Sequence, residues 1–582
     1  MMSDFGIGWY VFVAAGIYLC LSAVTVAILR EFSFRHTLFY LVMAVLGVWG
    51  GTLFADVGAY GSMLLVWMAP AVSLLVLRGI TSSGPRIWEA ATFLAFAFAV
   101  AQIALVLIAT VPLPCKGAVA VLLYVAAHLP TLVFWGYYFT EHAWMNAMGG
   151  MALLQTHFSE VVAYLRSRVS VRGFFCMGIL LVAAGYLFVE AQYIAWRPGN
   201  GTGYVVEHIG FLLLNAGLVF RGRENLISEV YRETRSFAGQ YEDFNRNVEE
   251  RQRRMSNALH FEKNGRPGIY VLFIGESANR DHMSAYGYSM ATTPWLASCK
   301  DDLQMILFDK GYSCHCFTVP TLSYALTAKN QYNTMELKDA PSLIEAANAA
   351  GYETAWISTH ARYSAWNTPY SVIAEACAQK IWITNDFDMA LVDAVDQLKL
   401  SDRMLLVFHL MGSHLSYHNR YPRAFDRFHT AGRHPQYDEY DNSVLYNDYV
   451  MQKLTEKVSA LPGFQCMLYF SDHSVLVDEG SELGFEHFDY GKTRIPFYIY
   501  VSQAFQAERS ETFERLRSMR HAIMTNDLVF DAMLGLMDIR LSGGYEPEND
   551  ITGAQYNADA SRFFTMYGEW AIAEDPAIQQ GK

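Results

Sequence analysis

The sequence has no internal repeat, no excess of basic residues and no small-residue cleavage site behind its first apolar segment. The first absence excludes solenoid and propeller arrays, which repeat every ~20–50 residues. With 43 Lys and Arg against 56 Asp and Glu, the net charge of −13 gives no electrostatic footing for nucleic-acid binding. The third absence makes the first apolar segment an anchor rather than a cleaved signal peptide. Cysteine is sparse too. Cys20, Cys115 and Cys176 fall in the apolar half, and Cys299, Cys314, Cys316, Cys377 and Cys466 in the polar half. Five cysteines cannot all pair among themselves, so no disulfide framework can be read from their spacing.

What the chain has is apolar length. Hydrophobic residues make up 53% of it, more than a soluble protein carries. The excess is concentrated at 8–29, 37–55, 62–77, 90–110, 117–139 and 173–192. A bilayer-spanning helix needs about 20 such residues, and only 62–77 falls short. Six segments crowded into one stretch favour spans over the buried helices of a soluble domain. A seventh segment, 205–220, contains Glu207, His208 and Asn215 and reads as either a span or an interfacial helix. The basic connections are 30–36, 78–86 and 141–172, which positive-inside reasoning places in the cytoplasm. Six spans then deliver the C-terminal domain outside, whereas seven in the same orientation return it. Residues 221–262 are rich in Arg and Glu and read as a surface helix or juxtamembrane linker, with anionic headgroups or solvent as its surroundings. The division expected is 1–220 as a transmembrane domain, 221–264 as a linker and 265–582 as one further domain.

In that last part, short apolar runs recur at 269–274, 304–309, 353–357, 403–409, 465–470 and 496–500. Helical or polar stretches separate them, including 318–330, 341–350 and 386–399. The alternation predicts a mostly parallel sheet with helices on both faces. Polar loops at 411–440 and 474–494 suit the walls of a site.

Two of the runs end on metal-capable groups. Tyr270-Val271-Leu272-Phe273-Ile274-Gly275 delivers Glu276, and Leu468-Tyr469-Phe470-Ser471 delivers Asp472 and His473. Carboxylate and imidazole at the mouth of an α/β sheet are a natural zinc ligand set. Thr318, ahead of Pro320, predicts a helix N-cap, and a metal-bound hydroxyl there would also make a nucleophile. Thr321 and Ser323 are rivals by sequence alone. His414, after the 403–409 run, and His487 can bind phosphate, protonate a leaving group or ligate a second metal. His418 reads as a loop residue, Asp386 and Asp388 as caps of the following helix, and Cys314-His315-Cys316 as an ordinary loop.

In order along the chain, Gly275-Glu276-Ser277-Ala278-Asn279-Arg280, Tyr286-Gly287-Tyr288, Thr292-Thr293-Pro294, Thr318 and its helix, Gly351-Tyr352, Trp356-Ile357-Ser358, Met411-Gly412-Ser413-His414 and Ser471-Asp472-His473 resemble the membrane-anchored phosphoethanolamine transferases of the alkaline phosphatase/sulfatase superfamily. The resemblance covers most of 265–505. It implies a multi-span helical membrane domain followed by an α/β alkaline phosphatase/sulfatase-like domain. It further implies a bacterial inner-membrane location with the catalytic domain in the periplasm. Carried over by residue, Glu276, Thr318, Asp472 and His473 match the zinc site, Thr318 the nucleophile, and His414 and His487 positions for phosphate or a second zinc. The reaction implied takes phosphoethanolamine from phosphatidylethanolamine to an envelope glycan or lipopolysaccharide acceptor through a phosphothreonine. A phosphoglycerol transferase or related phosphodiester hydrolase would use the same site, and a catalytically silent glycan-binding or regulatory protein is the reading outside enzymes. No Cys/Ser-x-Pro-x-Arg formylglycine signature surrounds Thr318, which separates the chain from sulfatases in the strict sense. Two departures stand out. Ser474-Val475 replaces the Gly-Glu that usually follows Asp-His. Cys314 matches one half of the disulfide of the lipid A enzymes, while the other half falls near Tyr324, which points toward relatives acting on core sugars or other glycans.

Overall fold

The structure, a computed structural model, describes residues 34–81, 87–141, 171–245, 259–360, 369–383, 387–414, 416–477, 488–542 and 544–579, with a few isolated positions elsewhere. The chain divides into two compact units, whose described residues part between Phe237 and Ala238.

The first unit is helical. Its described helices are α1 (Phe34–Leu53), α2 (Val57–Thr81), α3 (Ile87–Thr110), α4 (Lys116–Glu141), α5 (Val171–Glu190) and α6 (Thr202–Arg221), and α7 (Leu226–Asn245) begins in it and ends beyond the division. Among the described residues, four stretches are long and apolar enough to cross a membrane: Val57–Gly79, Glu89–Thr110, Leu113–Phe139 and Thr202–Arg221. Shorter apolar helical stretches cover Leu38–Leu53 and Gly178–Tyr193. The expected segment 62–77 is therefore longer than its apolar run suggested, because Val57–Tyr60 and Arg78–Thr81 continue the helix. The seventh segment is a full-length apolar helix, and the segment 8–29 lies outside the described residues apart from isolated positions. Large apolar side chains such as Leu65, Leu122 and Val206 face outward. Such an exposed apolar surface suits lipid rather than water. Inside, Trp67 is buried edge-on against Tyr124, and the Tyr60 hydroxyl pairs with Gln102.

The second unit is built on a seven-stranded sheet with order β3-β9-β8-β2-β7-β5-β6. Its strands are β2 (Gly268–Gly275), β3 (Met305–Phe308), β5 (Glu353–Ser358), β6 (Gln379–Trp382), β7 (Arg403–His409), β8 (Phe464–Ser471) and β9 (Phe497–Val501). The neighbours β8, β2, β7, β5 and β6 run parallel, whereas β9 is antiparallel to both β8 and β3. Every residue of β2 is buried, which is why it reads as an uninterrupted apolar run rather than an alternation. A two-stranded ribbon joins β1 (His260–Asn264) to β11 (Ile539–Ser542), and β4 (Lys310–Tyr312) pairs with β10 (Ile523–Thr525).

Two helices matter for the site: α8 (Thr318–Ala325) and α9 (Pro435–Ser459). Pro435 opens α9 where a missing N–H costs nothing. Tyr446, Val450, Leu454 and Val458, four apart, then bury one stripe in the main core with Phe273, Leu406 and Met467. The stretch 318–330 is shorter as helix than its composition predicts, since α8 stops at Ala325.

Candidate active site

The parallel strands β2 and β8 lie side by side, with Gly275 opposite Ser471. Their C-terminal ends therefore bring Glu276, Asp472 and His473 to one point, as open α/β sheets do. Ligand atoms of these three lie within 4.8 Å of one another. α8 adds the fourth group: Thr318 Oγ1 donates to Glu276 Oε2 at 3.2 Å and lies 3.3 Å from His473 Nε2. The structure thus joins Glu276, Thr318, Asp472 and His473, and sets the rivals apart. The Thr321 hydroxyl donates to the His315 carbonyl and that of Ser323 to the Val319 carbonyl, both in buried positions.

The electrostatics favour a cation. Burial, and then the facing Asp472 carboxylate, push Glu276 well above its ordinary range. Asp472 Oδ1 accepts from the Ser277 and His473 amides at 3.0 and 2.6 Å, while Oδ2 is buried with no hydrogen-bond partner, 3.5 Å from His473 Nε2. His473 Nδ1, 2.9 Å from the Ser474 carbonyl, donates there and leaves Nε2 for the site. A backbone carbonyl behind the ring is the usual support of a ligating histidine. Two buried carboxylates, an orphaned oxygen and an oriented imidazole fit a divalent metal. The Ser474-Val475 departure leaves this intact, because Ser474 acts through its carbonyl and Val475 through the carbonyl that accepts from Asn279 Nδ2.

A second cluster brings Glu276 to His360 and His409. Their imidazoles stack with centroids 4.0 Å apart and planes 9° from parallel. In-plane lone pairs on parallel rings run side by side and do not converge on one ion, so the two rings as arranged cannot chelate together. His409 is fully buried with neither ring nitrogen partnered, and burial holds it well below its ordinary range, hence neutral.

Of the two further expected histidines, His414 stands near this wall, its ring centroid 6.5 Å from that of His360. Burial, reinforced by Arg420, draws it down to about 3. His487 and Asp386 lie outside the described residues. Two expectations need correction. Thr318 is the first residue inside α8; the cap position belongs to Phe317, whose extended backbone has no side-chain cap bond. Asp388 caps no helix: its carboxylate accepts from Thr359 Oγ1 and from the Met411 and Gly412 amides, fixing the loop beyond β7. Cys115, Cys299, Cys314, Cys316, Cys377 and Cys466 are free thiols, so Cys314 takes no part in a disulfide.

Two residues shape the site in roles that the sequence did not assign them. Ser277 holds a left-handed φ of 55°, costly for a residue with a Cβ, and its hydroxyl donates to Glu276 Oε1 at 2.5 Å. Asn526 Nδ2 donates to the Ser471 and Asp472 carbonyls, while its Oδ1 accepts from the Cys314 amide, tying the stretch before α8 to the end of β8. Asn526 lies far along the chain in Thr525-Asn526-Asp527, which carries no motif.

The Sulfatase family model matches residues 269–539. Among curated proteins, phosphoethanolamine transferase EptC of Escherichia coli O18:K1:H7 is 28% identical over 350 residues, covering 55% of this chain and 59% of the relative. EptA of Helicobacter pylori is 27% identical over 277 residues, covering 43% and 51%. The chain therefore spans between about half and three-fifths of the length of these two relatives. The integral membrane lipooligosaccharide phosphoethanolamine transferase EptA of Neisseria meningitidis covers 88% of this chain and 97% of its own, with a TM-score of 0.50 and 18% identity. That likeness shows the fold: a helical segment followed by a mixed α/β sulfatase-like domain.

Proposed function

We propose that this chain transfers phosphoethanolamine from phosphatidylethanolamine to an envelope glycan or lipopolysaccharide acceptor through Thr318. The observation that carries the proposal is the position of Thr318 Oγ1, 3.2 Å from Glu276 and 3.3 Å from His473, two members of the set that Asp472 completes. A binding protein has no need of a hydroxyl aimed into a ligand set. The names of the curated relatives supply the headgroup.

In this reading Glu276, Asp472 and His473 hold zinc, with Thr318 beside it. Zinc bound there would act as a Lewis acid that lowers the cost of ionising a neighbouring hydroxyl and offsets charge on phosphoryl oxygens. The chain's own groups do the rest. Ser277 and Thr318 hold the two Glu276 oxygens in place, and the Ser474 carbonyl fixes the His473 tautomer. Thr318 Oγ1 attacks the phosphorus of phosphatidylethanolamine, its proton passing to Glu276 Oε2, to which it already donates. The bond to diacylglycerol breaks, and diacylglycerol leaves as the alcohol after taking up a proton. The acceptor hydroxyl or phosphate then attacks the phosphorus, the bond to Thr318 Oγ1 breaks, and Oγ1 takes back a proton from Glu276 Oε2. His414, neutral and near the same wall, offers an N–H to phosphate, a role His487 shares or exchanges for a second zinc. The chain is a multi-pass protein of the bacterial inner membrane in contact with its lipids. Residues 1–220 form the membrane domain, which delivers the chain to the periplasm with six spans or, in the opposite orientation, with seven; 221–264 form the linker and 265–582 the periplasmic catalytic domain.

The test is intact-mass analysis of the zinc-loaded chain after incubation with phosphatidylethanolamine, beside Thr318→Ala. A phosphoethanolamine adduct on the parent alone is expected, with expression and zinc content of the variant unchanged. Diacylglycerol release equal in both would overturn the nucleophile. An adduct from phosphatidylglycerol instead would move the reading to a phosphoglycerol transferase.

A further inference from the structure

One turn of α9 braces the main chain around Glu276, directly at the turn that follows it and through Ser413 at its own carbonyl. Beyond Glu276 the chain makes its left-handed turn at Ser277. The buried Tyr440 hydroxyl bridges that turn, donating to the Ser277 carbonyl at 2.8 Å and accepting from the Asn279 amide at 2.7 Å. From the other side, the Ser413 amide donates to the Glu276 carbonyl at 3.0 Å. The Ser413 hydroxyl is in turn 2.9 Å from that of Ser443, and both residues are buried. Tyr440 and Ser443 are three apart on a helix, so they share one face. Strained backbone persists only where its surroundings over-determine it; Tyr440 and Ser413 restrain the main chain around Glu276, while the Ser277 and Thr318 hydroxyls hold its carboxylate oxygens.

We infer that Tyr440, with Ser443 one turn on, is a positioning residue that sets Glu276 in the geometry of the ligand set, so that α9 tunes metal affinity without touching the metal. This rests on the zinc reading of the site. Tyr440 touches neither the phosphoryl group nor the ligands. Its removal is expected to act on binding of the ion, as loss of groups behind a ligand typically does by ~10–100-fold.

The experiment measures Zn(II) affinity of the full chain in detergent, by competition with a chromophoric chelator, for the parent, Tyr440→Phe, Ser443→Ala and Val444→Ala. Val444 is a buried neighbour of Tyr440 in the same small core and makes only apolar contacts there, so its truncation reports packing alone. Tyr440→Phe is expected to weaken Zn(II) binding about 10–100-fold and Ser443→Ala to weaken it less. Val444→Ala is expected to lower the melting temperature with affinity unchanged. Parental affinity in Tyr440→Phe, with a loss of melting temperature like that of Val444→Ala, would overturn the inference and leave the zinc reading standing. Should Tyr440→Phe not fold, parental affinity in Ser443→Ala overturns it instead. A parent that binds no Zn(II) overturns the zinc reading and this inference together.

Discussion

At Gly412 there is room for hydrogen and nothing more. An added Cβ would lie 2.6 Å from the Glu276 carbonyl oxygen and 2.9 Å from its nitrogen, and the backbone there has a φ of +53°. Both partners are main chain, so neither can swing aside. Gly412→Ala should therefore displace Glu276 as well as strain the loop, costing about 1–3 kcal/mol in stability; calorimetry and a Zn(II) titration would both register it. Asp472→Asn makes the opposite kind of change. Its amide oxygen can keep the bonds from Ser277 and His473, while the orphaned Oδ2 becomes an N–H₂ that repels a cation. The variant is expected to match the metal-free parent in melting temperature and to gain nothing from added Zn(II), read by scanning calorimetry.

At the scale of elements, α9 also carries a titratable strut. Asp448 accepts from the Trp295 and Leu296 amides at the start of the short helix Pro294–Ser298. Burial pushes its carboxyl up to about 7, above the ~3.9 of an unfolded chain. The folded state therefore binds the extra proton, and this contribution is complete below about pH 4 and lost as pH rises through about 7. The parent's melting temperature should fall between pH 5 and 8. Asp448→Asn, which cannot ionise, should flatten that slope while losing one of the two cap bonds. What was legible in the chain follows from the same packing. β2 and β8 are buried on both faces, so they show as unbroken apolar runs, and the polar residues that end them are conspicuous by contrast. Thr318 misled as a cap because the boundary of α8 is set by the extended Phe317, which local composition does not mark. Tyr440 was illegible for another reason. In Pro435-Gln436-Tyr437-Asp438-Glu439-Tyr440 it looks like one aromatic among polar neighbours, and its partners are main-chain groups of a distant loop.

At the scale of the whole molecule, the second unit holds the candidate site, and a bound ion would bear on its stability. An ion held by the folded site and not by the unfolded chain stabilises by about 4 kcal/mol at a free concentration 1,000 times its Kd. Adding a chelator to the purified chain should accordingly lower the melting temperature of the second unit, and restoring Zn(II) should reverse it. The order of strands carries one more consequence, for biosynthesis. β2 is the first strand of the sheet in sequence, yet it lies in the middle, between β7, which begins at Arg403, and β8, which ends at Ser471. Glu276 thus emerges from the ribosome long before either strand that flanks it, and waits without the partners that complete its ligand set. The ligand set is complete only once the chain has passed His473, and a chain stalled before Ser471 would carry an open sheet centre for quality-control proteases to recognise.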